Sequence, residues 1–330
     1  MDSVGLLIAL VKAVALIAIM MTAFAYSTLF ERKVVSRLQV RIGPNRVGPF
    51  GLLQPLADGI KLFLKEDVRP SGADRFVYAL APIISLVVAM TAFAVVPLGP
   101  DITVFGRQIP LSIGSMDIGI LFALAVGSLG VYGIVLAGWS SNSKYSLMGG
   151  IRSSAQMISY ELALGLSVMG VVMLAGSLSL REIVSRQAPL PFIVLQPLGF
   201  LLFVTAGIAE TNRAPFDLPE AETELVAGYH TEYGGLKWAM FFAAEYINMI
   251  TIAALASTLF LGGYRGLAGI ADGPWWLLLK ILGFMFVYVW LRATLPRFRY
   301  DRLMKFGWQV LLPLSLLNIV LTAAAIIAFG

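Results

Sequence analysis

Eight runs of apolar residues, each near the length needed to cross a bilayer, recur along this chain at about 4–30, 76–97, 117–138, 157–178, 192–209, 239–262, 275–295 and 309–328. A helix needs about 20 such residues to span a hydrocarbon core of roughly 30 Å. The pattern predicts an all-α integral membrane bundle of about eight transmembrane helices, built as one polytopic domain over 1–330. The fifth run is the shortest. In the long connection after the first run, Leu52, Leu53, Leu56, Ile60, Phe63 and Leu64 repeat at spacings of three and four, with Asp58, Lys61 and Lys65 on other faces. That periodicity predicts an amphipathic helix over about 52–65, lying at the membrane interface. In the third run Gly119, Ala123, Gly127, Gly130 and Ala137 fall at helical spacings. Small residues on one face let helices approach closely, and bundle packing accounts for them.

Composition agrees with lipid as the main solvent. Of 330 residues, 58% are hydrophobic and 13% charged, and the mean hydropathy is +0.85. A soluble domain carries about 25% charged residues. Cysteine is absent, which excludes disulfides and iron–sulfur ligation on this chain. A single histidine, His230, cannot supply the paired imidazoles of a membrane haem. No metal or cofactor is expected to be bound here, so any electrons must arrive from another subunit. Ala23-Phe24-Ala25 resembles a cleavage site, but the apolar run before it is too long and Asp2 replaces a basic leader, so a retained helix is expected.

Charge gives an orientation. Eighteen Lys and Arg residues sit in the connections after runs 1, 3, 5 and 7, against four in the alternate ones. The positive-inside rule then puts the large connections in the cytoplasm and both termini outside. The same asymmetry explains the net charge of +5 without a nucleic-acid partner.

Some charges fall where hydropathy argues against them. Glu161 lies inside the fourth run, Glu245 inside the sixth, and Glu210 closes the fifth. A carboxylate within a span is costly and is a functional candidate by default. The connection at 210–238 adds Asp217, Glu220, Glu222, Glu224 and Glu232 against only Arg213 and Lys237. Crowded carboxylates share and exchange protons, although a solvated acidic loop facing a basic partner fits the loop alone. Together with the intramembrane acids, it reads as proton-handling machinery. The arginines after runs 1 and 7 fit the positive-inside rule in part; docking of a peripheral subunit and lining of a ligand tunnel are the sharper readings.

Six stretches carry a resemblance. ERK at 31–33, GPNRVGPFGLLQPLADGIKLFLKE at 43–66, SNSKYSLMGGIRSSAQMISYE at 141–161, AETNRAPFDLPEAETELVAGYHTEY at 209–233, AEYINM at 244–249 and PRFRYD at 296–301 occur in order. They resemble the subunit 1 family (also called the H subunit) of proton-translocating NADH:quinone oxidoreductase, respiratory complex I. The resemblance implies a membrane subunit, not catalytic alone, that anchors a peripheral arm, forms the access tunnel for quinone and couples its reduction to proton translocation. It implies quinone as substrate, with ubiquinone favoured on general similarity and menaquinone left open, and FMN and iron–sulfur clusters on partner subunits. Expected partners are the peripheral-arm subunits, neighbouring small membrane subunits, antiporter-like subunits and the lipid bilayer. The expected location is the bacterial inner membrane, with the mitochondrial inner membrane as the alternative.

By motif, Glu161, Glu210, Glu220, Glu222, Glu224 and Glu245 match the family's proton-coupling row of acids. Arg32, Arg41, Asp58, Lys61, Arg213, Arg292, Arg297 and Arg299 match positions that line the quinone tunnel or dock the arm. The acid found on the third span of some relatives is missing here, where only Asp117 stands at its outer end. Two other readings remain open: a homologous subunit of a ferredoxin-, deazaflavin- or hydrogenase-linked pump, and a stand-alone ion-coupled transporter.

Overall fold

Within a bilayer every backbone N–H and C=O needs an internal partner, and a helix supplies them from its own residues. The computed structural model, which describes residues 3–104, 107–114, 116–188, 190–217, 226–266 and 271–329, resolves the apolar runs into helices. They are α1 (Ser3–Leu38), α2 (Gln54–Leu64), α3 (Arg75–Phe93), α4 (Gly119–Ser140), α5 (Lys144–Ala175), α6 (Leu180–Arg186), α7 (Phe192–Leu195) and α8 (Pro197–Glu210). After the 210–234 connection come α9 (Gly235–Phe260), α10 (Pro274–Thr294), α11 (Tyr300–Phe306) and α12 (Leu312–Phe329). A π-helical turn, Gly307–Leu311, joins the last two. A small antiparallel hairpin, β1 (Ile102–Val104) and β2 (Arg107–Ile109), lies between α3 and α4, with Thr103 opposite Gln108.

Among the described residues seven helices are long and apolar enough to cross a membrane, α11 to α12 counting as one. The fifth apolar run differs, because it is the pair α7 and α8, broken at Gln196. Pro197 explains the break: it has no N–H, and its ring crowds the carbonyl four residues back. It serves as the first residue of α8 instead. The Gln196 side chain is buried; it accepts from Asn318 at 3.0 Å and donates to Thr322 at 2.7 Å, both on α12.

The centre of the bundle is α9, whose residues 249 to 260 are buried without interruption. It packs against α1, α3, α8 and α10. The α3–α4 contact is backbone-close at Gly133, where an added Cβ would fall 2.1 Å from Ser85 Oγ and 3.1 Å from the Ala81 carbonyl oxygen. Asp74 starts α3 by accepting from Phe76 N and Val77 N, both at 3.0 Å, which satisfies two of the helix's orphan donors.

Two helices exceed the membrane. With 36 and 32 residues, α1 and α5 are about 54 and 48 Å long at ~1.5 Å per residue. Their surplus turns carry polar residues beyond a ~30 Å apolar core. The amphipathic α2 has no buried residue. Its Leu56, Ile60, Phe63 and Leu64 are exposed, leaving an apolar face for lipid or a partner.

Hydropathy alone passes over two lysines inside apolar helices. Lys12 on α1 donates to the carbonyls of Pro110 (2.7 Å) and Ser112 (3.2 Å) beyond the hairpin. Lys280 on α10 donates to those of Leu261, Gly263 and Arg265 at 2.7, 2.7 and 2.9 Å. The latter caps the C-terminal end of α9, where orphan carbonyls and the helix dipole favour a cation.

Candidate functional site

At the opposite end of α9 from Lys280, four helical segments converge on a buried knot of charge. Arg213, in the turn after α8, is 4% exposed. Its Nη1 binds Glu245 of α9 and its Nη2 binds Glu31 of α1. Tyr246 completes the set: its hydroxyl accepts from Arg213 Nη2 at 2.9 Å and donates to Glu31 Oε2 at 2.6 Å. Arg292 of α10 binds the second oxygen of Glu31. Two guanidiniums thus balance two carboxylates. Buried charge persists only when paired and hydrogen-bonded in this way. Burial works against the charge on Arg213, but Glu245, Tyr246 and Glu31 hold its pKa well above the ordinary value.

The turn that carries Arg213 is held from several sides. The buried Gln156 of α5 donates through Nε2 to the carbonyls of Ala209 (2.8 Å) and Phe216 (2.7 Å). The segment after α10 zips onto the same turn. There Phe298 N donates to the Pro215 carbonyl at 3.1 Å, Phe216 and Phe298 stack at 5.6 Å, and Arg297 pairs with Asp217 at 3.1 Å.

Two clefts approach the knot. A cavity of about 280 Å³ runs between α1, α2 and α9, lined by Phe24, Thr28, Leu86, Trp238 and Phe242, with Arg32, Asp58 and Lys61 at its polar edge. Arg32 binds Asp58 at 2.6 Å, and Lys61 lies 3.5 Å from the same side chain. Partial burial raises the Asp58 pKa, but the hydrogen bond and charge of Arg32 outweigh it and hold the carboxyl below its usual value. A second, wider cavity of about 820 Å³ is polar and holds Glu31, Arg41, Gln54 and Arg292. Arg32 lines both.

Beyond the knot lies a smaller cavity of about 40 Å³, bordered by Glu245, Glu210, Asn212, Ser85 and Asn248. This volume has room for water beside polar partners. Glu210 Oε2 and Asn212 Oδ1 are buried with no hydrogen-bond partner among the described residues. Glu210 lies within electrostatic reach of Glu161 on α5, which accepts from Ser128 of α4. Gly127 of α4 faces Glu210, so one of the small residues assigned to packing also borders the acids.

The structure places Arg213, Glu245 and Arg292 in the knot, Arg32, Asp58, Lys61 and Arg41 at the two clefts, and Glu210 at the small cavity with Glu161 in its electrostatic reach. Arg297 braces the Arg213 turn from outside the knot. Arg299 stands apart: its side chain is 80% exposed and pairs with Asp301 at 3.4 Å. Glu220, Glu222 and Glu224 lie outside the described residues. His230 is partly buried, edge-on to Tyr229, and burial pushes its pKa down to about 4, so it is neutral near pH 7.

Glu31, Tyr246, Gln156 and Ser128 belong to this site, and sequence reasoning passes over all four. Glu31 sits in a charged triplet that reads as the end of a span. An acid beside two bases, two turns before the end of α1, is the signal that marks it.

A family model described as NADH dehydrogenase matches residues 11–323. The chain belongs to the NADH dehydrogenase family. Within that family it is 55% identical over 332 residues to the H subunit of NADH-quinone oxidoreductase from Thermomicrobium roseum, covering 98% of this chain and 97% of that protein. The corresponding subunit from Deinococcus deserti is 56% identical over 334 residues, covering 98% of this chain and 85% of that protein. One from Geobacter sulfurreducens is 53% identical over 327 residues, at 96% and 94% coverage. Coverage of this extent takes in the knot, both clefts and the acids. Its relatives are subunits of an oxidoreductase, and with seven helices among the described residues long and apolar enough to cross a bilayer, this member of the NADH dehydrogenase family is a multi-pass membrane protein. Among the described residues no group of three or more His, Asp or Glu side chains is placed to hold a metal ion.

Proposed function

We propose that this chain is the quinone-side membrane subunit of a proton-translocating NADH:quinone oxidoreductase (complex I), providing quinone access, arm docking and proton coupling. The observation that supports the reading is the buried knot of Glu31, Arg213, Glu245 and Arg292, which has an apolar and a polar cleft near it and the small cavity with Glu210 beside Glu245.

The apolar cleft beside the exposed face of α2 suits a hydrophobic quinone arriving from lipid. Electrons reach it from FMN and iron–sulfur clusters on partner subunits, which this chain does not bind. Two electrons and two protons convert quinone to quinol, and negative charge develops on the headgroup between these events. That charge competes with Glu31 for Arg292, which is half-exposed toward the polar cleft. Glu31 then draws more heavily on Arg213, and Glu245 loses part of its compensation. In a poorly screened setting an undercompensated carboxylate takes up a proton. The neighbouring cavity and Glu210 offer the route toward Glu161. From there the change passes to antiporter-like subunits.

Arg297, Arg299 and Arg41 lie at the same basic end and serve to line the quinone tunnel or dock the peripheral arm, while Glu220, Glu222 and Glu224 extend the proton-coupling row by family motif. The bacterial inner membrane, with both termini periplasmic, follows from the basic connections and the bacterial relatives.

A photoreactive quinone analogue tests the access route in the assembled complex. Labelling is expected on α1 near Phe24, on α2 near Asp58 and on α9 near Trp238, and excess unlabelled quinone suppresses it. Labelling confined to other subunits, or to α12, overturns the assignment.

A further inference from the structure

The α4 helix presents consecutive residues to two acids: Gly127 to Glu210 and Ser128 to Glu161. The Ser128 hydroxyl has two acceptor oxygens within reach, Glu161 Oε1 and the Leu124 carbonyl at 3.0 Å, but only one hydrogen to give. Among the described residues no cation pairs with Glu161. We propose that Ser128 is a positioning residue for proton transfer at Glu161, a hydroxyl rotor that satisfies the carboxyl group in both protonation states.

With Glu161 ionised, Ser128 donates to Oε1, and the Leu124 carbonyl keeps only its helical hydrogen bond. With Glu161 protonated, the carboxyl O–H donates to Ser128 Oγ, and the hydroxyl hydrogen swings to the Leu124 carbonyl. No proton leaves Ser128 in either step, and no polar atom is stranded. Leaving one stranded in an apolar setting would penalise whichever state lacked the bond. The hydroxyl helps the ionised state more, because a bond to a carboxylate is charge-assisted.

The groups around Glu161 come from several elements. The α12 helix and the π-helical turn before it contain no titratable residue. Tyr229 packs on the cluster of Val131, Ile134 and Met157, the last one turn from Glu161, and lines the small cavity with Glu210 and Glu245. On α4, Tyr132 follows Ser128 by one turn and is exposed. Glu210, on α8, lies within electrostatic reach of Glu161.

This inference rests on the acid row proposed above, and the test separates the two. Proton pumping driven by NADH and a short-chain quinone is measured against pH in proteoliposomes holding the complete complex. The chain is wild type, Glu161→Gln, Ser128→Ala or Ser128→Thr. NADH oxidation by a hydrophilic acceptor reports assembly, and Ser128→Gly replaces Ser128→Ala if the latter fails to assemble. The expected result has three parts. Glu161→Gln abolishes one limb of the profile, and Ser128→Ala moves that limb to higher pH by about half to one unit, the gap between a charge-assisted and a neutral hydrogen bond. Ser128→Thr, which keeps the hydroxyl, restores the limb. A Ser128→Ala profile that superimposes on wild type while Glu161→Gln loses the limb overturns the role of Ser128 and leaves the acid row standing. So does a Ser128→Thr variant that fails to restore the limb. A Glu161→Gln profile identical to wild type removes the acid row and Ser128 with it.

Discussion

Truncating Arg213 strands Glu245 and leaves Glu31 to Arg292 and Tyr246 alone, because the two carboxylates share its guanidinium. Removing one partner of a buried pair costs about 3–5 kcal/mol. Arg213→Ala is expected to lower the thermal stability of the isolated complex and to cut quinone-linked turnover at least about tenfold. Arg213→Lys keeps the charge but loses the planar fork, and falls between. Adding Glu245→Gln to Arg213→Ala removes one stranded charge and recovers part of the stability; no recovery would argue against the shared pairing. Arg213 and Glu245 were legible in the sequence as charges in apolar or anomalous surroundings. Glu31 and Tyr246 were not, since hydropathy weighs a residue against its own segment and not against partners that are 182 and 33 positions from Arg213.

Long helices were legible because each satisfies its own backbone, so an apolar run of sufficient length settles its conformation. The break at Gln196 needed tertiary information: Pro197 marks a discontinuity, but only α12 supplies the Asn318 and Thr322 that bury the freed polar side chain. Gln196→Ala leaves the Asn318 amide without its acceptor, while Thr322 still donates to the Asn318 carbonyl, and is expected to cost about 1–3 kcal/mol, read as a lower unfolding temperature in lipid nanodiscs. The segment around His230 carries a pH dependence. Its pKa is about 4 in the folded chain against an ordinary 6.5. The stabilisation from the buried neutral ring is therefore complete above about pH 6.5 and declines as pH falls toward 4. Hydrogen-exchange protection in residues 226–234, taken relative to the intrinsic rate at each pH, is expected to fall over that interval, and His230→Gln to remove that fall. The hairpin and the carbonyl cages of Lys12 and Lys280 escaped the sequence reading for the same reason as the break, since distant carbonyls define them.

At the scale of the whole molecule, the proposed function links an apolar cleft between α1, α2 and α9 to the acids Glu210 and Glu161 on α8 and α5. No single helix holds all of these groups. The turn after α8 brings Arg213 to the knot, and that turn is held by Gln156 and by the segment following α10. Sequence motifs singled out most of these charged residues by family resemblance, and the packing of α1, α5, α8, α9 and α10 shows which of them are neighbours. In the proposed function, Glu245 and Glu161 couple events at the quinone to proton movement without taking part in electron delivery. The most direct test is the ratio of protons pumped to NADH oxidised, measured in proteoliposomes for Glu245→Gln and Glu161→Gln. Both variants are expected to keep NADH oxidation by a hydrophilic acceptor, while quinone-linked pumping falls severalfold. Wild-type pumping ratios in both variants would contradict that coupling role.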